Sequence, residues 1–142
     1  MRRNHSNITL TILSVIAIAV FAFVLAILFS SITVDVAEDS FTVKCLYHTE
    51  TISYEDVAEI KLSYDYISTR IFSIGGISKA LGTYKNDDYG IHYRISYEEN
   101  KHNYVIVRKK DGSTTVFNLK TEPKTAELYE ALQAKITLYS KN

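Results

Sequence analysis

Cys45, the chain's one cysteine, stands three residues before His48, and a thiol near an imidazole is the minimal pair for nucleophilic catalysis. Phe41, Val43, Cys45 and Tyr47 alternate with Thr42, Lys44, Leu46 and His48, however, so a strand would turn Cys45 inward and His48 to the opposite face. A metal site fares no better. His92 and His102 would face one another only if a hairpin between them took a favourable register, and two exposed histidines are the simpler reading. Gly75-Gly76-Ile77-Ser78-Lys79 lacks the upstream glycine and the Gly-Lys-Ser/Thr order of a phosphate loop. The acid pairs Asp87-Asp88 and Glu98-Glu99 sit in polar turns, where solvent equalises them rather than separating their pKa values into an acid and a base. No catalytic residue, metal ligand or cofactor site is expected, and a single cysteine allows no internal disulfide. The chain reads as a non-enzyme.

Residues suited to binding are more plentiful. Arg70 precedes a glycine-rich stretch with Gly75, Gly76, Gly82 and Gly90, interleaved with Tyr84, Tyr89 and Tyr93. Glycine in β structure marks bulges, bends or a close backbone approach. Arg108-Lys109-Lys110 is the one basic run, and a charged strand end is its plainer explanation. These seven side chains (Arg70, Tyr84, Tyr89, Tyr93, Arg108, Lys109, Lys110) are the candidate ligand or partner surface.

The segment that must position the rest is residues 8–32, twenty-five in a row without a charged side chain. A helix of that length covers roughly 37 Å, enough for the ~30 Å hydrocarbon core of a bilayer. Arg2 and Arg3 precede it, and Asp35, Glu38 and Asp39 follow it. Basic residues stay cytoplasmic, so residues 1–7 are expected inside and residues 33–142 outside the cell membrane. A cleaved signal would have an apolar core of about 7–15 residues. Ser14, Ala22, Ala26 and Ser30 share a four-residue ladder that would let two such helices pair.

Residues 33–142 suffice for one domain. Without Arg2 and Arg3 the chain holds fourteen basic against sixteen acidic residues, which argues against a nucleic-acid footprint. The patterns predict a strand at 41–47, a polar turn at 48–50, a helical corner at 54–57, and a strand bearing Ile60, Leu62 and Tyr64. Three consecutive antiparallel strands follow: 91–97, 104–109 and 114–119, the last two joined by the Asp111-Gly112 turn signal. After Thr121-Glu122-Pro123, Leu128, Tyr129, Leu132 and Ile136 recur at helical spacing. The fold class is mainly β with a C-terminal helix, preceded by one transmembrane helix.

In order and spacing several features resemble the bacterial pleckstrin-homology-like domains: the 54–60 strand entry, Arg70, Gly82-Thr83-Tyr84, Gly90 with Tyr93, the 105–107 strand before Asp111-Gly112, and the closing helix. The resemblance spans about residues 40–136. It implies a bent antiparallel sheet or barrel capped by one helix, and a membrane-associated scaffold module without an active site. Relatives that bind inositol phosphates cluster cations on the first hairpin, whereas residues 44–51 here hold one lysine and one glutamate. The expected function is a membrane-tethered module recognising a protein or peptide partner. The alternative is a ligand- or lipid-sensing module with a pocket in residues 73–93.

Overall fold

A computed structural model gives the backbone of residues 3–141 and the side chains of residues 7–141; Met1 and Arg2, and with Arg2 half of the basic flank, lie outside the described residues. The chain divides into two compact units, Met1–Ser30 and Ser31–Asn142.

The first unit is one helix, α1 (Arg3–Phe29), whose stretch Asn7–Phe29 is long and apolar enough to cross a membrane and is nowhere buried. Hydroxyls on a helix that crossed hydrocarbon would need partners, and the helix supplies them itself: Thr11 Oγ1 donates to the Asn7 carbonyl and Ser14 Oγ to that of Leu10. Ala22 and Ala26 are exposed on α1, and Ser30, the last residue of the small-residue ladder, lies just past its end.

The helix stops three residues before the apolar run does. Ile32 belongs to the second unit, where it is 4% exposed in the core and its N–H donates to the Tyr97 hydroxyl at 2.8 Å. Apolar composition alone does not distinguish a residue facing lipid from one facing a protein core.

The second unit is mainly β. Strands β1 (Thr33–Val36), β2 (Ser40–Cys45) and β3 (His48–Ser53) form an antiparallel sheet, and a 3-10 turn at Tyr54–Asp56 leads out of it. A six-stranded sheet comprises β4 (Val57–Ser63), β5 (Thr69–Ile74), β6 (Lys79–Asn86), β7 (Gly90–Tyr97), β8 (Tyr104–Lys109) and β9 (Thr114–Phe117). Its order is β4-β8-β9-β7-β6-β5, so it is open at both ends. The closing helix α2 (Glu122–Tyr139) starts behind Thr121 with a proline in its first positions, as its sequence predicts.

Two details differ from the sequence reading. The turn after β2 is Leu46-Tyr47, not residues 48–50, and Cys45 pairs directly with His48. Cross-strand partners share a face, so both side chains lie on the same side of the sheet. The two-residue turn resets the alternation that a continuous strand would have kept. In addition, β7, β8 and β9 are not three successive antiparallel neighbours. β9 folds back from β8 and inserts between β8 and β7, running parallel to β7. The hairpin signal at Asp111-Gly112 holds, with Gly112 at φ +88°; the order of its neighbours is a long-range property that alternation does not encode.

One core lies between the two sheets and α2. It joins Phe41, Val43 and Ile52 of the small sheet to Leu81, Ile95, Val105, Val107 and Phe117 of the large one, with Leu128 and Leu132 from the helix. Cys45, Ile60, Leu62, Tyr129 and Ile136 pack around its margin. The N-terminal end of α2 is locked by buried amides. Asn118 Oδ1 accepts from the Tyr97 N–H at 2.7 Å and its Nδ2 donates to the Asn100 carbonyl at 2.6 Å, while Asn103 Nδ2 donates to the Glu122 carbonyl at 3.0 Å. Asn100 Nδ2 also reaches Thr125 Oγ1 at 3.1 Å.

Candidate functional site

The face of the large sheet turned away from that core holds the unusual chemistry. Along β7, Ile95 and Tyr97 enter the core as expected, but His92, Arg94 and Ser96 on the other face are buried as well. The cover is the β4–β5 connection, residues 64–68, which lays Tyr66 over the sheet. Its ring packs 4.8 Å from that of Tyr104 and its hydroxyl meets His92 Nε2 at 2.5 Å. The Gly90 carbonyl can only accept, so His92 Nδ1 carries the proton that it takes at 2.9 Å, and Nε2 accepts from Tyr66. Burial, assisted by the Arg94 charge and opposed by the Gly90 bond, holds the His92 pKa below its usual 6.5. Burial likewise pushes the Tyr66 hydroxyl up to about 12, against the lowering effects of Ser68 and Arg94. Both groups are neutral at physiological pH.

Arg94 is the centre of this face. It is 8% exposed, and its guanidinium carbon lies 5.0 Å from the Tyr84 ring centroid, 5.1 Å from Tyr104 and 5.7 Å from Tyr66. Such a buried cation needs hydrogen bonds as well as rings. Nε donates to Ser96 Oγ at 2.6 Å, and Nη2 donates to Glu98 Oε1 at 2.9 Å and to the Tyr104 hydroxyl at 3.2 Å. Glu98 also faces Lys101 at 3.7 Å, so it is a partner in an ion-pair chain rather than half of a solvated acid pair.

A cavity of about 290 Å³ opens in front of Arg94, lined by Ser68, Arg70, Ser73, Ile77, Tyr84 and Glu98 among others. Backbone irregularity makes it. Arg70 and Ser73 are three apart and would face opposite sides of a regular strand. A bulge between Arg70 and Phe72 leaves Ile71 without a register partner, so Arg70 pairs with Tyr84 and Ser73 with Gly82, and both stand on the Arg94 face. Gly82 is obligatory there: its φ is +152°, and a Cβ would sit 2.1 Å from the Phe72 carbonyl oxygen. Lys79 contributes backbone rather than charge to this face. Its side chain belongs to the core side, with Nζ 5.9 Å from the Tyr97 centroid, and burial lowers its pKa.

β5 is also the open edge of the sheet. The opposite edge strand, β4, has α2 against it. β5 exposes Ile71 (54%), Phe72 (63%) and Ile74 (42%), and the adjoining Ile67 and Ile77 are more exposed still. A second depression, about 660 Å³, borders the other end of the strand at Ile67, Thr69 and Ile71, with Asp65, Lys85, Asp87 and Asp88.

The seven sequence candidates are divided among four places. Arg70 and Tyr84 join at the cavity. Tyr89 and Arg108 stack at 5.4 Å beside His92 on the same face, where Arg108 also faces Glu59 at 3.8 Å. Tyr93 lies on the core side, stacked on His48 at 4.3 Å, and Lys109 is bound there to Glu50 at 2.7 Å, which also accepts from Thr115. Lys110 is exposed. The basic run is thus dispersed across both faces of the sheet, as strand alternation requires. His92 and His102 do not meet, because β7 and β8 are not neighbours. Cys45, His48 and Glu50 come onto one face, with His48 Nε2 3.8 Å from Glu50. Among the described residues no group of three or more His, Cys, Asp and Glu could hold a metal ion.

No protein-family model, curated protein or solved structure matches the chain. Function has to come from the geometry of the site itself. Arg94 and Tyr66 escaped the sequence reading because each looks like a plain strand or turn residue, and Glu98 reads there only as half of a solvated acid pair. The available signal was Arg94 itself, a charge in the middle of the strongest alternating strand.

Proposed function

We propose that this protein is a membrane-tethered binding module that takes up an extended segment of a partner protein along β5. The observation that carries the reading is the edge itself: six residues long, unpaired on its outer side, and presenting Ile71, Phe72 and Ile74 to solvent. Soluble proteins normally blunt such an edge with charge, proline, a bulge or a covering element; β5 has Arg70 and a bulge at Ile71, and the stretch beyond them, with Phe72 and Ile74 exposed, is left open as a template for strand addition. Main-chain hydrogen bonds then give affinity, and side-chain pockets on alternating sides give specificity. The membership that the sequence suggests, among bacterial pleckstrin-homology-like scaffolds, fits a mainly β unit closed by a C-terminal helix, although β9 running parallel to β7 departs from an all-antiparallel sheet. The charge bias favours a second unit outside the cell membrane, in which case protease added to intact cells should digest it.

The test is co-purification from detergent-solubilised native membranes. Phe72→Ser with Ile74→Ser should lose the partner while keeping the wild-type unfolding temperature, whereas Leu46→Ser with Tyr47→Ser, also exposed but in the β2–β3 turn, should retain it. Retention by the β5 variant with loss by the turn variant would move the binding surface to the small sheet.

The ligand-sensing alternative has one observation in its favour, the tyrosine-walled cavity at Arg94. Its opening beside β5 makes it part of the same surface.

A further inference from the structure

We infer that the segment bound on β5 carries a carboxylate side chain that enters the Arg94 cavity, flanked by apolar residues that cover Phe72 and Ile74. This inference rests on the strand-addition reading and specifies its partner. Three features of the site define that chemistry.

The first is charge. Two guanidinium groups, Arg70 and Arg94, face one carboxylate, Glu98, across the cavity, while the Lys79 side chain lies on the other side of the sheet. One positive charge is left over. A single carboxylate balances it; Lys101, the second cation on Glu98, lies outside the cavity lining. Arg70 has no ion pair among the described residues and stands exposed on the strand. Arginine's planar fork matches a carboxylate, and Arg94 is already oriented by Ser96, Glu98 and Tyr104 through Nε and Nη2.

The second is space. Opposite Arg70 and Ser73, β6 offers only Ala80 and Gly82 beside Tyr84, the smallest side chains available, so the floor in front of Arg94 stays open.

The third is alternation. A strand laid against β5 points successive side chains to opposite faces of the sheet. One set faces Arg70 and Ser73, and the other lies with Phe72 and Ile74, whose register partners are Thr83 and Leu81 on the core side. The complementary segment therefore reads apolar, acidic, apolar. The acids of the second depression border Thr69 and Ile71, so the carboxylate has one favourable place along the strand.

The experiment uses the full chain in detergent micelles and three fluorescein-labelled short peptides in which valine alternates with glutamate, glutamine or lysine. Fluorescence anisotropy should show the glutamate peptide binding about tenfold more tightly than the glutamine peptide, the change expected for one charge-assisted hydrogen bond. Arg70→Glu, on an exposed side chain that leaves the fold intact, should reverse the preference toward the lysine peptide. Equal binding of the glutamate and glutamine peptides, lost in the Phe72→Ser, Ile74→Ser variant, would keep the edge reading and overturn the carboxylate. Binding of no peptide, or binding unchanged by that variant, would overturn both. A dimer of the unliganded protein that the same variant dissociates would assign the edge to a second copy and also overturn the inference.

Discussion

Replacing Arg94 by methionine removes the guanidinium while keeping most of its stem volume. Three losses follow. The bond to Glu98 at 2.9 Å goes, together with those to Ser96 and the Tyr104 hydroxyl. Charge-assisted bonds of this kind contribute about 1.5–3 kcal/mol, and each ring contact about 0.5–1 kcal/mol. Glu98 is 28% exposed and still faces Lys101, so its abandoned charge can turn to water, and the full penalty of a deeply buried orphan does not apply. The methionine stem keeps apolar contact with the three rings and offsets part of these losses, so the expected cost is about 2–4 kcal/mol, large beside the stability of a domain this size. Arg94→Lys keeps the charge and loses the fork and the stacking, for about 1–2 kcal/mol. The assay is urea unfolding in micelles, followed by far-UV circular dichroism and tyrosine fluorescence, in a double-mutant cycle with Glu98→Gln. A coupling of about 1–2 kcal/mol is expected for two groups in direct contact. A cost below about 0.5 kcal/mol for Arg94→Met, or strict additivity with Glu98→Gln, would refute the claim that this ion pair holds the buried Arg94 in place.

Leu132 is fully buried on the inner face of α2, so Leu132→Ala should cost about 2–5 kcal/mol in the same unfolding assay, while Gln133→Ala beside it stays within about 0.5 kcal/mol. Gly82→Ala should detach β5, because the new methyl collides with the Phe72 carbonyl; amide hydrogen exchange should speed up in residues 69–74 and stay slow in β8. His92 provides a pH signature. Its folded pKa lies below 6.5, so as pH falls through 6.5 the unfolded chain takes up a proton that the folded chain refuses, and stability drops until the folded pKa is passed. His92→Gln should lack that acid-side loss in pH-dependent urea midpoints.

What was legible in the sequence was whatever local periodicity controls. Residues 8–32 announce the apolar helix, Phe41 and Val43 point inward as alternation says, and Leu128 and Leu132 mark the buried stripe of α2. The errors fall where a short turn or a long-range neighbour overrides the pattern. His48 joined Cys45 on one face because two residues at 46–47 close the hairpin, and β9 reached β7 past β8. The candidate site was half visible: Arg70 and Tyr84 stood out by type and glycine context. Arg94 did not, because its burial depends on the connection at 64–68 folding over it. Asn100 fell in an expected turn and Asn118 in an expected strand, and the role of Asn100, Asn103 and Asn118 as buried ties exists only once β7, β9 and α2 converge.

The most direct test of the central claim is site-specific photocrosslinking in native membranes, with the photoreactive group placed at Phe72 or Ile74 on β5 and, as controls, at Glu127 or Glu130 on α2. The account predicts adducts from the two β5 positions to one partner segment, mapped by mass spectrometry to a short extended stretch in which an acidic residue lies between apolar ones, and none from α2. Adducts from α2 with none from β5 would contradict it.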